Sequence, residues 1–369
     1  MTVPKNSETL AVDVDRLSDD AARLEAELLC RVIGQPRAVR AFVRAYEVFV
    51  AGLQAPHRPL GCFLFLGPTG VGKTRLCSAL CEALFGNAKM LVRVDCAEFQ
   101  KSHEVAKLIG SPPGYVGHRE SKPRLTRESL YGHLDASTAS QLGVVLFDEI
   151  EKASEAVREL LLGVFDNGIM TAGDGTETDF SRAFIIMTSN LGSTDLQKIL
   201  HGQKIGFHDH ETAKADIDTD LYHSAMAAVR KEFAPEFIGR IDKTICFHPL
   251  SQESLRAILN IELQAVQDRV LRKCPIILQV TDAAKDFLLA ESDHVTAEGA
   301  RHIKKTVERF LTTKLASILA TRQAVDGDVI VADKLKLKKK TKELSFAVVR
   351  TSPDSVDLEA QAADENASQ

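Results

Sequence analysis

Gly67-Pro68-Thr69-Gly70-Val71-Gly72-Lys73-Thr74 is the stretch that decides the fold of this chain. An apolar run, Cys62–Leu66, stops abruptly at its first glycine, and a helical pattern reopens near Gly72. Strand, glycine-rich turn and helix, with the spacing G-x-x-x-x-G-K-[ST], make a phosphate-binding loop. Glycine lets the backbone turn tightly enough for successive N–H groups to point inward at phosphate oxygens. The helix that follows adds the positive end of its dipole. Lys73 reaches the β- and γ-phosphates of a nucleotide, and the Thr74 hydroxyl is placed to ligate Mg²⁺.

Two further strand ends extend this site. Gly143-Val144-Val145-Leu146-Phe147-Asp148-Glu149 is an apolar run closed by two carboxylates. It reads as a buried strand with acids at the carboxyl edge of the sheet, where open α/β sheets bind ligands. Asp148 is the candidate Mg²⁺ holder and Glu149 the group that polarises an attacking water. Thr188-Ser189-Asn190 follows the apolar strand Ala183–Met187. Asn190 is placed either to orient that water or simply to form a turn.

Outward from these motifs the chain alternates strand and helix. Helical patterning starts at Ser18, an N-cap residue, and runs to Cys30. A second amphipathic helix covers roughly Arg37–Gly52, and short apolar strands fall at Leu91–Val94, Val144–Phe147 and Ala183–Met187. The alternation predicts an α/β layer with a largely parallel sheet. Leu191–Asp220 is polar and reads as a long surface loop before a helix at Leu221–Phe233. From Pro249 a second, mainly helical unit is expected: helices Glu253–Lys273, Ala283–Ala290 and Gly299–Thr321, and strands Ile276–Val280, Asp328–Ala332 and Leu344–Val348. The predicted boundaries are a flexible leader at 1–17, a nucleotide-binding domain at 18–248, a small lid domain at 249–350 and a disordered tail at 351–369.

The chain has 369 residues, of which 44% are hydrophobic and 26% charged, and a net charge of −5. That length supports two domains, and the acidic balance gives no basic field for nucleic acid. The apolar runs are too short to span a bilayer, and Met1–Leu10 lacks a signal-peptide pattern. Seven cysteines are scattered without a Cys-x-x-Cys pair, which fits a reducing, cytoplasmic setting. Cys77 and Cys81, four apart on a helix, read as small buried apolar residues. Lys334–Lys342 reads as a solvated edge or hairpin.

With these motifs in place the chain resembles the AAA+ module of Clp ATPases, closest to the second module of two-module Clp unfoldases and disaggregases. The likeness covers roughly residues 15–333. It is carried by Val32-Ile33-Gly34-Gln35, Phe63–Gly67 running into the phosphate loop, Gly110-Ser111-Pro112-Pro113-Gly114-Tyr115-Val116-Gly117, Phe147–Ala153, Met187–Ser193 and Pro235-Glu236-Phe237-Ile238-Gly239-Arg240-Ile241-Asp242. The resemblance implies an ATP- and Mg²⁺-dependent ATPase with a P-loop large domain and a helical lid. It also implies a homo-oligomeric, hexameric ring acting on protein substrates.

Residue by residue, the resemblance implies that Val32 and Ile33 pack on adenine. It makes Asn190 the first sensor and Arg301, in Gly299-Ala300-Arg301, the second. Arg240 becomes an arginine finger that reaches the nucleotide of the next subunit. A guanidinium suits a transition state whose charge spreads over phosphoryl oxygens. Taken alone, either arginine is as well explained by a surface ion pair worth about 0–1 kcal/mol. Gly114-Tyr115-Val116-Gly117 resembles a pore loop, whose aromatic side chain grips an extended polypeptide; the alternative is a surface turn. Ile205-Gly206-Phe207 resembles the tripeptide by which some family members dock on a Clp-type peptidase; the alternative is a hydrophobe folded back on its own domain.

The chain departs from the family in several places. No first AAA+ module or N-terminal substrate-binding domain is recognisable. The pore-loop flank, His118-Arg119-Glu120-Ser121-Lys122-Pro123-Arg124, is more basic than usual. Gly239 stands where Asn is common, and His302-Ile303 follow Arg301 in place of Pro-Leu. The readings that follow are an unfoldase that threads substrates through a pore, with or without delivery to a peptidase; a stand-alone disaggregase; and a nucleotide-gated scaffold with little turnover. A DNA-directed motor is disfavoured by the acidic balance and the Gly-Tyr-Val-Gly loop.

Overall fold

A computed structural model of the chain describes residues 13, 15–110, 123–132, 142–193, 212–293, 299–334 and 343–350. The chain divides into two compact units, residues 1–67 with 73–247 and residues 68–72 with 248–369.

The first unit opens with two helices, α1 (Asp19–Arg31) and α2 (Pro36–Val50). Ser18 caps α1 by accepting the Ala21 N–H, Asp19 and Asp20 lie in its first turn and Arg31 in its last. All three suit the helix dipole. Ala21, Leu24 and Leu28 form its buried stripe. The strand β1 (Gly61–Leu66) leads through the glycine loop into α3 (Lys73–Phe85), and β2 spans Val92–Asp95. Two short helices, α4 (Ala106–Ile109) and α5 (Arg127–Tyr131), precede β3 (Gly143–Asp148). The helix α6 (Glu155–Asn167) buries Val157, Leu161, Val164 and Phe165 and ends at Gly168 in the left-handed region.

A hairpin of β4 (Ile169–Thr171) and β5 (Glu177–Asp179) follows, then β6 (Ala183–Ser189). The next helix, α7, starts at Thr212 and runs to Glu232, so the expected loop over Leu191–Asp220 gives way to helix about nine residues early. The short helix α8 (Pro235–Ile238) leads to the strand β7 (Lys243–Cys246), which sequence periodicity did not predict.

The five-stranded sheet has the order β2-β3-β6-β1-β7, and all its pairings are parallel. Every residue of β1, β3 and β6 is buried, as expected for inner strands covered on both faces. Register brings their carboxyl ends level: Leu66 pairs with Ser189, and Phe147 with Met187. The glycine loop, Asp148-Glu149 and Asn190 therefore leave the sheet along one edge.

The second unit is mainly helical. Its long helix α9 (Gln252–Leu271) is capped by Ser251 and buries Leu259, Leu263, Val266 and Val270. Then come β8 (Ile277–Val280), α10 (Asp282–Asp293) and α11 (Ala300–Val307). A π-turn over Glu308–Thr312 joins α11 to α12 (Thr313–Ala320), so the predicted helix Gly299–Thr321 is continuous but irregular at its centre. The strands β9 (Val329–Lys334) and β10 (Leu344–Val349) complete a sheet of order β10-β9-β8 whose inner face joins the helices in one core. Among the described residues, no helix is long and apolar enough to cross a membrane.

Candidate functional site

The glycine loop holds the backbone its motif demands. Gly67, Gly70 and Gly72 all have positive φ, at 143°, 75° and 107°. At Gly67 a Cβ would lie 2.6 Å from the Phe247 carbonyl oxygen, so close approach as well as dihedral angle excludes a side chain. At Gly72 a Cβ would meet nothing within 4 Å among the described residues. Lys73 opens α3 and is buried; its Nζ donates to Gly67 O at 2.5 Å and to Asn190 Oδ1 at 2.9 Å. Thr74 is half-buried one residue on.

The backbone turns sharply at the carboxylate residue just after β3. Glu149 sits in the left-handed region at φ 58° and ψ 53°. For a residue with a side chain this costs about 1–2 kcal/mol. Such outliers persist where surrounding contacts over-determine them. Three contacts do so here. Glu149 N–H donates to Thr188 Oγ1 at 3.1 Å, and Asn190 Nδ2 donates to Glu149 Oε1 at 3.3 Å. Lys152 Nζ meets Glu149 Oε2 at 2.6 Å, which raises the Lys152 pKa above its ordinary value. Asn190 is held in turn, its N–H donating to Glu151 Oε1 at 3.0 Å.

Asp148 is buried, and both its oxygens are engaged: the Thr188 hydroxyl donates to Oδ1, and Arg93 Nη2 meets Oδ2 at 2.5 Å. A hydroxyl and a carboxylate are the hard oxygen donors that Mg²⁺ takes, so Thr74 and Asp148 suit that ion chemically. The structure thus brings Lys73, Asp148, Glu149 and Asn190 into one connected network at the sheet edge. Thr188, Glu151 and Lys152 lay within stretches already quoted, but their contacts had no sequence signal. Arg93 had only a faint one, a charge between two valines in a strand.

The remaining predicted residues are placed as follows. Val32 is buried and Ile33 half-buried in the turn between α1 and α2. Arg240, just after α8, directs its Nε to both carboxylate oxygens of Asp166. Arg301 is exposed in the first turn of α11. Gly114, Tyr115, Val116 and Gly117 lie outside the described residues, as do Ile205, Gly206 and Phe207. Of the thiols, burial pushes Cys77 well up; it lies one turn into α3, with Sγ 3.5 Å from Lys73 O.

A family model described as an AAA domain (Cdc48 subfamily) matches residues 58–244, more than half of the chain. A second, described as the C-terminal D2-small domain of ClpB protein, matches residues 250–332. The chain is a Clp-type AAA+ ATPase. Its module corresponds to the second of the two modules in that family, and its fold is the P-loop AAA+ domain followed by the small, mainly helical domain. The nucleotide-binding character read from Gly67–Thr74 follows from that membership.

Among relatives of this AAA+ ATPase, Chaperone protein ClpB of Rhodopirellula baltica is 38% identical over 310 residues, covering 84% of this chain and 33% of the relative. Chaperone protein ClpB of Clostridium perfringens is 40% identical over 311 residues, with the same two coverages. A cryo-EM reconstruction of closed-state Hsp104 with ATPγS and FITC casein superposes with a TM-score of 0.69 at 30% identity, covering 89% of this chain and 52% of that one. The chain spans about a third of the length of the ClpB proteins it matches.

Proposed function

We propose that this AAA+ module hydrolyses ATP and couples turnover to the remodelling of protein substrates, as a chaperone or disaggregase that works without a peptidase. The observation that carries the reading is the hydrogen-bonded run Lys73–Asn190–Glu149, which ties the phosphate-loop lysine to the candidate base through the sensor asparagine.

In this reading the N–H groups of Gly67–Thr74 and the Lys73 ammonium hold the β- and γ-phosphates. Thr74 and Asp148 hold Mg²⁺, which when bound neutralises charge on the phosphate oxygens. Glu149 accepts a hydrogen bond from the attacking water and Asn190 fixes its position. The water oxygen bonds to the γ-phosphorus, the bond to the β,γ-bridging oxygen breaks, and ADP and phosphate leave. Val32 and Ile33 face the adenine. Arg301 is assigned as the second sensor, and Arg240 donates to the γ-phosphate of a neighbouring copy.

A trans-acting arginine requires an oligomer, and head-to-tail contacts closing into a hexameric ring supply one. The Gly114–Gly117 loop with Tyr115 then grips substrate in the central channel. We place the domain boundary at 248/249 and the protein in the cytoplasm.

The relatives' name, chaperone protein, favours remodelling over peptidase delivery. Delivery rests on the Ile205-Gly206-Phe207 tripeptide alone. A passive scaffold is disfavoured because Lys73, Asp148, Glu149 and Arg240 are all present. The test is recovery of activity from a heat-aggregated reporter enzyme with ATP and no peptidase. Wild type is expected to restore it, and Tyr115→Ala to lose restoration while keeping ATP turnover. Restoration by neither protein, with turnover intact in both, would contradict the coupling.

A further inference from the structure

Asp148 is the carboxylate that the nucleotide reading assigns to the metal, and Arg93 already occupies it. Arg93 lies in the middle of β2, and Asp148 closes the neighbouring β3; the register sets Asp95 opposite Asp148 and Arg93 opposite Leu146. From there the long Arg93 side chain reaches along the strand to Asp148 Oδ2 at 2.5 Å. The other oxygen takes the Thr188 hydroxyl. The Asp148 side chain is only 12% exposed, whereas that of Arg93 is 50% exposed.

The asymmetry matters. A carboxylate this buried is costly without a counter-ion. A half-exposed guanidinium, by contrast, can swing into water and be solvated there. A divalent ion at Asp148 meets the same oxygen and repels the same positive charge.

We propose that Arg93 is a positioning residue, an exchangeable counter-ion that holds the Asp148 side chain oriented while no metal is bound and competes with the metal for Oδ2. This rests on the assignment of Asp148 to the metal site. The consequence is counter-intuitive for an arginine beside a catalytic centre: its removal tightens metal binding.

The experiment compares wild type, Arg93→Gln and Arg93→Lys in the full chain, with free Mn²⁺ read by EPR during titration in the presence of ADP. A half-exposed ion pair is weak, so the Gln variant is expected to bind Mn²⁺ about two- to fivefold more tightly. The Lys variant, which keeps the charge, should stay within about twofold of wild type. Affinity for a fluorescent ADP analogue in EDTA should be unchanged, and the rise in Tm produced by Mg²⁺-ADP should be larger in Arg93→Gln than in wild type. Equal or weaker Mn²⁺ binding by Arg93→Gln would overturn the proposal. Loss of its metal-free ADP binding would do so too, by making Arg93 a structural strut. If wild type itself bound no Mn²⁺ with ADP, the metal reading of Asp148 would fall, a result distinct from an unshifted Arg93→Gln.

Discussion

Arg240 Nε lies 2.7 and 2.8 Å from the two carboxylate oxygens of Asp166, at the end of α6. Its Nη1 donates to Glu236 O at 3.0 Å, and its Nη2 meets Glu236 Oε1 at 3.3 Å. A guanidinium has five N–H donors. Three of them are engaged by these contacts with Asp166 and Glu236. The surface ion pair offered by the sequence as an alternative is therefore present, and it fixes the orientation of the group. We predict that Asp166→Asn lowers kcat of the assembled protein by about three- to tenfold while leaving metal-free nucleotide affinity unchanged. Arg240→Ala should cost about 10³-fold, the lower end of arginine-finger effects. Steady-state turnover against protein concentration separates the two.

Glu82 on α3 is the meeting point of two arginines. Arg75 Nη1 and Nη2 reach its oxygens at 2.8 and 3.1 Å, and Arg31 at the end of α1 reaches Oε2 at 3.1 Å. The Arg75 hydrogen bonds lead in holding its pKa below the ordinary carboxylate value, with Arg31 adding to them. A lowered folded-state pKa contributes stability above the unfolded value, lost as pH falls through the folded one. Glu82→Gln should therefore destabilise by about 0.5–1 kcal/mol at pH 7, after allowance for solvent screening of these part-exposed groups. The difference from wild type should shrink as pH drops below the normal carboxylate range, and urea melts at pH 7 and pH 3.5 check it.

Thiol reactivity follows burial. Burial pushes Cys62, Cys77 and Cys96 well up, Cys81 up to about 12 and Cys246 up to about 11. Thiolate is the reactive form. At pH 8, iodoacetamide should label exposed Cys30 first and half-buried Cys274 more slowly. The other five should be protected until denaturant is added. Peptide mass spectrometry resolves the order.

Lys152 ties Glu149 to its own turn at 2.6 Å. That contact holds a carboxylate whose backbone is already in a costly conformation. Lys152→Ala should lower kcat by about three- to tenfold with little change in KM for ATP, because the group acts through Glu149 and not on the bound nucleotide. Initial rates over a range of ATP concentrations give both parameters.

The inner strands were legible in the sequence because burial on both faces makes them continuous apolar runs: Gly61–Leu66, Gly143–Asp148 and Ala183–Ser189. The edge strand β7 was not, since only Ile245 of its four residues is fully buried and no run forms. The hairpin β4–β5 was hidden for the same reason, with one buried residue in each three-residue strand. The first half of α7, Thr212–Asp220, is polar and acidic without an apolar stripe, so it read as loop. At the site, residues fixed by local spacing, Lys73, Asp148, Glu149 and Asn190, were found. Arg93, the partner of Asp148, and Asp166, the partner of Arg240, lie 55 and 74 positions away from the groups they hold. Such pairings depend on sheet register and helix docking, which a single sequence does not print.

The most direct test of the account is single-turnover hydrolysis of γ-labelled ATP by wild type and Glu149→Gln, with ATP binding measured alongside. Both proteins should bind ATP with similar affinity, and the Gln variant should release phosphate at least about 10²-fold more slowly, the range for loss of a general base. Equal rates of phosphate release, with binding intact, would contradict the assignment of this sheet edge as the hydrolytic centre.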